Sequence, residues 1–156
     1  MVRTPKIIAP KEIKIYLKNL HIGLDKYIKN IISKVDIIKP SEVDAERIFG
    51  CDTPENQVKK FIDLGAKLVI MTLGKDGAIV TNGDETLTFK TFATEIVDTT
   101  GAGDAFWSGF YTGLTKSYSL KDSLNLGFAT SAFKLKHVGA IANLPTIEEI
   151  KDIYNI

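Results

Sequence analysis

The sequence predicts an α/β fold in which helices flank a mostly parallel sheet that carries one antiparallel hairpin. Residues 68–73 form an apolar run with Val and Ile, broken only by Thr72, which suits a strand covered on both faces. Residues 78–81 and 85–89 flank an Asn-Gly-Asp sequence, which is a strong hairpin signal. Elsewhere, apolar residues recur at helical spacing. Strands that alternate with helices indicate a layered α/β domain.

The elements before residue 68 follow from local signals. Residues 1–25 leave a strand and a helix both open, because Ile13, Ile15 and Leu17 alternate while the polar residues between them suit a helix equally well. Beyond them we expect, in order, a helix over 25–34, a strand over 35–38, a helix over 42–49, and a helix that begins at Pro54 after the N-cap Thr53 and ends at Gly65.

The elements after residue 73 follow from the same kinds of signal. They are, in order, a turn at 74–77, the hairpin, a short strand at 95–97, a tight loop at 98–104, a helix with an apolar stripe over 105–114, a helix over about 120–136, and a C-terminal helix opened by the capping box Thr-Ile-Glu-Glu at 146–149.

Composition excludes several classes of protein. The formal net charge of +1 gives no broad electrostatic surface for nucleic acid or for an anionic membrane. One Cys and two His exclude an internal disulfide and a Cys/His zinc site. The longest wholly apolar stretch, residues 68–71, is far shorter than the ~20 residues that span a bilayer. We therefore expect an unprocessed cytoplasmic protein with neither nucleic acid nor a membrane as partner.

The chemistry is concentrated in residues 98–104. Gly101, Ala102 and Gly103 lie between a predicted strand end and an apolar helix, where small side chains let a ligand approach unpaired helical N–H groups. Such a helix start binds anions. Asp104 follows in the first turn, where the helix dipole favours a carboxylate that could accept a proton from a hydroxyl attacking a phosphoryl group. The alternative is an ordinary first-turn Asp after a glycine turn.

Residues 98–106 (Asp-Thr-Thr-Gly-Ala-Gly-Asp-Ala-Phe), followed by Gly109 and Phe110, resemble the signature of the ribokinase-like (PfkB) carbohydrate kinases. Three other stretches resemble family landmarks in the family's order: Lys-Pro-Ser-Glu-Val-Asp-Ala-Glu at 39–46, Thr-Leu-Gly-Lys-Asp-Gly at 72–77, and Gly-Ala-Ile-Ala-Asn-Leu-Pro-Thr at 139–146.

The resemblance implies roles for individual residues in phosphoryl transfer. Asp104 would be the base on the sugar hydroxyl, and the N–H groups of Gly101, Ala102 and Gly103 would form the anion hole for the transferred phosphoryl group. The resemblance places three residues against the ATP: Thr72, Gly74 and Gly77.

The resemblance also implies two cation sites. Asp98 and the carbonyl of Thr100, with carbonyls near Gly139 and Asn143, would hold a monovalent cation, often potassium, that makes the anion hole rigid. Asp98 could instead be only a turn residue. Ser41 and Asp44 fall where the family has Asn and Glu, which organise magnesium and the phosphates. Asp44 keeps a carboxylate but a shorter one, and it could instead lie on an exposed helix face.

The family fold is roughly twice as long as this chain. The resemblance begins near Val35, so residues 1–34 are expected to be a poorly matched segment that packs on the same domain, and 35–156 to be the nucleotide-binding and catalytic half. We expect a truncated sugar kinase that self-associates or binds a missing N-terminal half, because a half sheet leaves an unpaired edge. The alternatives are a non-catalytic nucleotide-binding module and a nucleoside or phosphosugar kinase.

Overall fold

Residues 24–156 are described by the computed structural model. They divide into two units, of which the first ends at Lys90 and the second runs from Thr91 to Ile156. The open choice between strand and helix at Ile13, Ile15 and Leu17 lies outside the described residues, and the boundary near residue 34 stays a prediction. Among the described helices, none combines the length and the apolar character that a bilayer span requires.

The first unit follows the predicted order of helices and strands. Its elements are α1 (Leu24–Ile32), β1 (Ile37–Ile38), α2 (Glu42–Phe49), α3 (Pro54–Asp63), β2 (Leu68–Thr72), a 3-10 turn (Gly74–Asp76), β3 (Ala78–Thr81) and β4 (Thr86–Phe89). The Thr53 hydroxyl accepts the N–H of Asn56 and caps α3, which has Pro54 in its first turn as predicted. Local capping and turn chemistry therefore set most of these boundaries.

The sheet of the first unit is mixed. Its strand order is β1-β2-β3-β4, with β1 parallel to β2 and the two following pairs antiparallel. The hairpin of β3 and β4 confirms the prediction at 78–89. Fewer of the strand pairs are parallel than the sequence predicted. Only the five residues 73–77 separate β2 from β3, whereas a parallel pair needs a crossover connection of a dozen or more residues, so these two strands pair antiparallel.

The core of the first unit lies between the sheet and the helices. Val69, Met71 and Ile79 point from β2 and β3 into one cluster with Val58 and Phe61 of α3. All five are at least nine-tenths buried, and each such side chain contributes about 1.5–3 kcal/mol through burial. This packing holds the end of β2, where predicted site residues begin.

The second unit consists of three helices and the loops that connect them. They are α4 (Ala102–Thr115), α5 (Leu120–Leu135) and α6 (Ile147–Tyr154), and the predicted capping box opens α6. The strand predicted at 95–97 is wrong. Ile96 and Val97 are exposed, and the N–H groups of Val97 and Asp98 donate to the carbonyl of Leu135 at the end of α5. A short segment such as Glu-Ile-Val becomes a strand only beside a pairing partner, and the described part of this unit has none.

Helices α4 and α5 pack closely because small residues line their contact. A Cβ added at Gly113 would lie 2.7 Å from the Ser123 Oγ of α5, and one at Gly127 would lie 2.9 Å from the Phe106 ring of α4. Trp107, also on α4, is buried and stacks on Tyr111 with ring centroids 5.2 Å apart. The position of α4, and hence of the loop at its start, is therefore set by its contact with α5.

Candidate active site

The predicted site residues divide between the two units. The first holds the residues expected at ATP and magnesium: Ser41, Asp44, Thr72, Gly74 and Gly77. The second holds those expected at the transferred phosphoryl group and the monovalent cation: Asp98, Thr100, Gly101, Ala102, Gly103, Asp104, Gly139 and Asn143.

Ser41 and Asp44 form a capping box at the start of α2. The Ser41 Oγ accepts the N–H of Asp44 at 3.1 Å. In return, the Asp44 Oδ2 accepts the N–H of Ser41 at 3.1 Å and its hydroxyl at 2.7 Å. Asp44 is 7% exposed rather than on an exposed helix face. Both residues therefore act as the cap of α2, a role that the Ser-x-x-Asp spacing could have revealed.

The magnesium role of Asp44 stays a prediction. Within the described residues, no three His, Cys, Asp or Glu side chains come together as a metal-binding group. The Asp44 Oδ2 is already occupied by two hydrogen bonds from Ser41. A metal ion at this carboxylate would therefore have to compete with the cap or bind through a water molecule.

Thr72, Gly74 and Gly77 surround the turn that follows β2. The N–H of Thr72 donates to the carbonyl of Pro40 at 3.1 Å, which places Thr72 beside Ser41. These two residues therefore lie at the carboxyl ends of the parallel strands β1 and β2, the edge where open α/β sheets bind ligands. Gly77 has a φ of +93° and its Cα faces the carbonyl of Phe89, so a side chain does not fit there.

Asp98 connects two loops of the second unit. Its Oδ1 accepts the N–H of Thr100 at 2.9 Å, and its Oδ2 accepts the N–H of Gly139 at 2.7 Å. These hydrogen bonds to the ionised form lower the pKa of Asp98 from 3.8 to about 2. Asp98 and Gly139, both predicted at the cation site, are thus brought together.

The N-terminus of α4 presents part of the predicted anion hole. Gly101 is the N-cap residue, with a φ of +80°. The N–H of Ala102 donates to the carbonyl of Thr99 at 3.2 Å, so it is already used. Within the described chain, the N–H groups of Gly101 and Gly103 donate no hydrogen bond. Two of the three expected donors are therefore available, and Asp104 is exposed in the same turn.

The loop at 139–143 lies against the start of α4 at one point. A Cβ added at Gly101 would lie 2.8 Å from the carbonyl oxygen of Ala140. Gly101 therefore serves both the left-handed turn and this close approach. Asn143 is exposed, and its side chain makes no hydrogen bond to the described residues.

Two residues of α5 contact this region and were missed from the sequence. The Ser131 hydroxyl donates to the carbonyl of Ala102 at 2.9 Å. The Lys134 Nζ lies 3.5 Å from the carbonyl oxygen of Asp98. A signal existed for Lys134, because it follows Leu126 and Thr130 at helical spacing on one buried face.

Comparison with known proteins decides the family. A model of the pfkB family carbohydrate kinases matches residues 11–147, which is most of the chain. The chain belongs to the pfkB family. Its α/β architecture is the ribokinase-like fold, as the sequence predicted.

Individual pfkB relatives agree. The chain is 72% identical over 131 residues to an ATP-dependent 6-phosphofructokinase from Thermoanaerobacterium thermosaccharolyticum, covering 84% of this chain and 41% of that protein. It is 32% identical over 129 residues to a ribokinase from Staphylococcus aureus, and the match covers 79% of this chain and 42% of that ribokinase. The crystal structure of a ribokinase from Thermotoga maritima superposes on this chain with a TM-score of 0.74 at 31% sequence identity, and the match covers 82% of this chain and 45% of that ribokinase. The chain thus spans less than half the length of these pfkB relatives.

Proposed function

We propose that this chain supplies the phosphoryl-transfer part of an ATP-dependent sugar kinase, with Asp104 as the base. The observation that carries the proposal is the start of α4. There, Gly101 and Gly103 have N–H groups that donate no hydrogen bond within the described residues, and the exposed Asp104 lies in the same turn. An anion hole beside a carboxylate is the arrangement that phosphoryl transfer to an alcohol requires.

Each residue of the proposed site has one task. The Asp104 carboxylate takes the proton of the sugar hydroxyl as its oxygen bonds to the γ-phosphorus of ATP, and the bond from that phosphorus to the leaving ADP oxygen breaks. The N–H groups of Gly101 and Gly103 stabilise the negative charge on the transferring group. The Ala102 N–H would join them only after leaving the Thr99 carbonyl.

ATP and magnesium belong to the same proposal. Gly74 has open space where a Cβ would stand, so its main chain is accessible to a ligand, and Thr72 and Gly77 adjoin the same turn. Magnesium, when bound, would neutralise charge on the phosphates. Ser41 and Asp44 are the residues that the resemblance places near it. A cytoplasmic setting, predicted from cysteine usage, completes this part of the proposal.

The test compares Asp104→Asn with Asp152→Asn, an exposed Asp on α6. We expect Asp104→Asn to lower phosphoryl transfer by about 10²–10⁴-fold, because it removes the base, and to change the ATP dissociation constant little. Fructose 6-phosphate, ribose and a nucleoside are assayed as acceptors. The Asp152→Asn variant should match the parent chain. Equal transfer by Asp104→Asn and the parent would refute the assignment.

A non-catalytic nucleotide-binding module is the second candidate, favoured by the 41% coverage of the 6-phosphofructokinase. Isothermal titration with ATP and magnesium beside the same acceptor assay separates the two. Binding without transfer to any acceptor selects the module. Transfer to an acceptor selects the kinase and also reports its substrate class.

We further propose that the sugar site is completed by self-association or by a separate chain carrying the rest of the family fold. The support is the share of each relative that this chain leaves unmatched. Light scattering on the purified chain, alone and with acceptor sugar, measures its molar mass and therefore the number of chains in the assembly. A single monomeric species that still transfers phosphate would contradict this proposal.

A further inference from the structure

Lys134 is a buried cation beside the anion loop. It is 1% exposed near the end of α5. Its Nζ donates to the carbonyl of His137 at 2.8 Å and lies 3.5 Å from the carbonyl oxygen of Asp98. Within the described residues its ammonium forms no ion pair with a carboxylate. A buried ammonium is tolerated only when polar groups replace its water. Here those groups are the two carbonyls, and the charge of the Asp98 carboxylate also attracts the ammonium.

Lys134 contacts Asp98, one of the residues from which the sequence predicts a cation site. The predicted ligands are Asp98, Thr100, Gly139 and Asn143, and carbonyl and carboxylate oxygens are the groups that bind hard cations. The Asp98 carbonyl already receives the lysine ammonium. Asn143 is exposed and contributes no contact. The charge of Lys134 also opposes a second positive ion at this loop. Both carboxylate oxygens of Asp98 also already accept N–H groups, from Thr100 and Gly139. The residues present therefore do not fit an exchangeable potassium ion.

We propose that the Lys134 ammonium takes the place of a bound monovalent cation and positions the loop that leads from Asp98 to the start of α4. The loop then keeps its shape without added potassium. Lys134 is a positioning residue, since it would act on a phosphoryl group only through Asp98 and the amides of Gly101 and Gly103. In this respect the inference rests on the proposed function.

A purely structural role predicts different behaviour. Lysines near helix C-termini commonly bond the last carbonyls, and Lys134 does this at His137. Such a cap would stabilise α5 without setting the loop, and its loss would not create a need for potassium. The response to individual cations therefore separates the two roles.

The first arm uses the unmodified chain. Thermal unfolding midpoints and the hydrogen-exchange rates of the Thr100 and Gly139 N–H groups are measured in KCl, NaCl and choline chloride at equal ionic strength. We expect no difference between the three salts. A higher midpoint, or slower exchange at these two amides, in KCl alone would overturn the proposal.

The second arm uses Lys134→Met, with Lys121→Met as the control, because Lys121 is an exposed lysine on the same helix. We expect Lys134→Met to speed exchange at Thr100 and Gly139 about tenfold or more in choline chloride, and KCl to reverse much of this. Lys121→Met should behave as the parent in every salt. A folded Lys134→Met with parental exchange, or with faster exchange that no cation reverses, would overturn the proposal.

If Lys134→Met does not fold, Lys134→Arg takes its place. Keeping the charge should keep the loop insensitive to potassium, and a potassium-specific response would count against the proposal. These readouts need neither ATP nor turnover, so failure of the proposed kinase function would appear only in the binding and transfer assays. Failure of the lysine inference would appear only in the salt series.

Discussion

The carboxylate of Asp98 accepts the N–H of Gly139 at 2.7 Å, 41 residues further along the chain. The same carboxylate accepts the N–H of Thr100 in its own loop. One side chain therefore fixes the start of α4 relative to the loop after α5. The geometry proposed for phosphoryl transfer depends on the ionised form of this residue.

The first prediction concerns stability at acid pH. The pKa of Asp98 is lowered to about 2 in the folded state from an ordinary value of 3.8. Its stabilising effect is therefore complete above pH 3.8 and is lost as the pH falls from 3.8 towards about 2. We expect Asp98→Asn to have a lower thermal midpoint than the parent at pH 7, and the difference to shrink across that window.

Asp52→Asn is the matched control for this prediction. Asp52 also has a pKa of about 2, because the Lys60 ammonium and other donors bond it. Its loss should give a similar pH dependence but leave exchange at the Thr100 and Gly139 N–H groups unchanged. A midpoint difference for Asp98→Asn that is the same at pH 7 and near pH 2 would contradict the first prediction.

The second prediction concerns Gly101. Gly101→Ala places a Cβ at a φ of +80°, 2.8 Å from the carbonyl oxygen of Ala140. We expect a loss of about 2–3 kcal/mol in the free energy of unfolding and weaker ATP binding. Gly139→Ala has a similar φ of +83° but open space for its Cβ, so it should cost only about 1 kcal/mol. Urea unfolding and titration calorimetry measure both, and equal losses would show that the Ala140 contact is unimportant.

The third prediction concerns the contact between α4 and α5. A Cβ at Gly109 would lie 2.6 Å from the carbonyl oxygen of Leu126 and would also overlap the Thr130 hydroxyl. Alanine gains about 1 kcal/mol in helix propensity, but overpacking costs about 1–3 kcal/mol, so Gly109→Ala should be a net loss. Ser108→Ala, at the exposed neighbouring position, should be neutral or slightly stabilising. Urea unfolding midpoints measure the stability of both variants. The prediction would be wrong if Gly109→Ala were more stable than Ser108→Ala.

The fourth prediction separates two roles of Ser41. Ser41→Ala removes the capping box of α2, and Thr146→Ala removes that of α6. Each should lower the free energy of unfolding by about 0.5–2 kcal/mol. If Ser41 also contacts ATP, only Ser41→Ala should raise the ATP dissociation constant at a temperature where both variants are folded. Unchanged affinity would leave Ser41 as a helix cap alone.

The features that the sequence predicted correctly are local. The Thr53 cap, the capping box at Thr146 and the hairpin over 78–89 each depend on residues close together in the chain. The strand predicted at 95–97 is wrong because strand formation depends on a pairing partner, which the three residues Glu-Ile-Val cannot specify. Local patterns thus predicted where the helices begin better than what the loops contact.

The connections that shape the candidate site could not be predicted in the same way. Ser131 contacts Ala102 across 29 residues, and Lys134 contacts Asp98 across 36. No spacing rule links residues so far apart, because their proximity results from the packing of α4 on α5. Helical spacing places Lys134 on the same face as Leu126 and Thr130, but it cannot identify the carbonyls that receive its ammonium.

Trp107 is the single tryptophan of the chain and lies three residues after Asp104, on the helix that begins at the proposed anion hole. Its buried ring is stacked on Tyr111 of the same helix, so its emission depends on how the residues around α4 pack against it. The chain therefore carries its own optical probe. Fluorescence titration with ATP, inorganic phosphate or potassium can follow events at the start of α4 without any attached label.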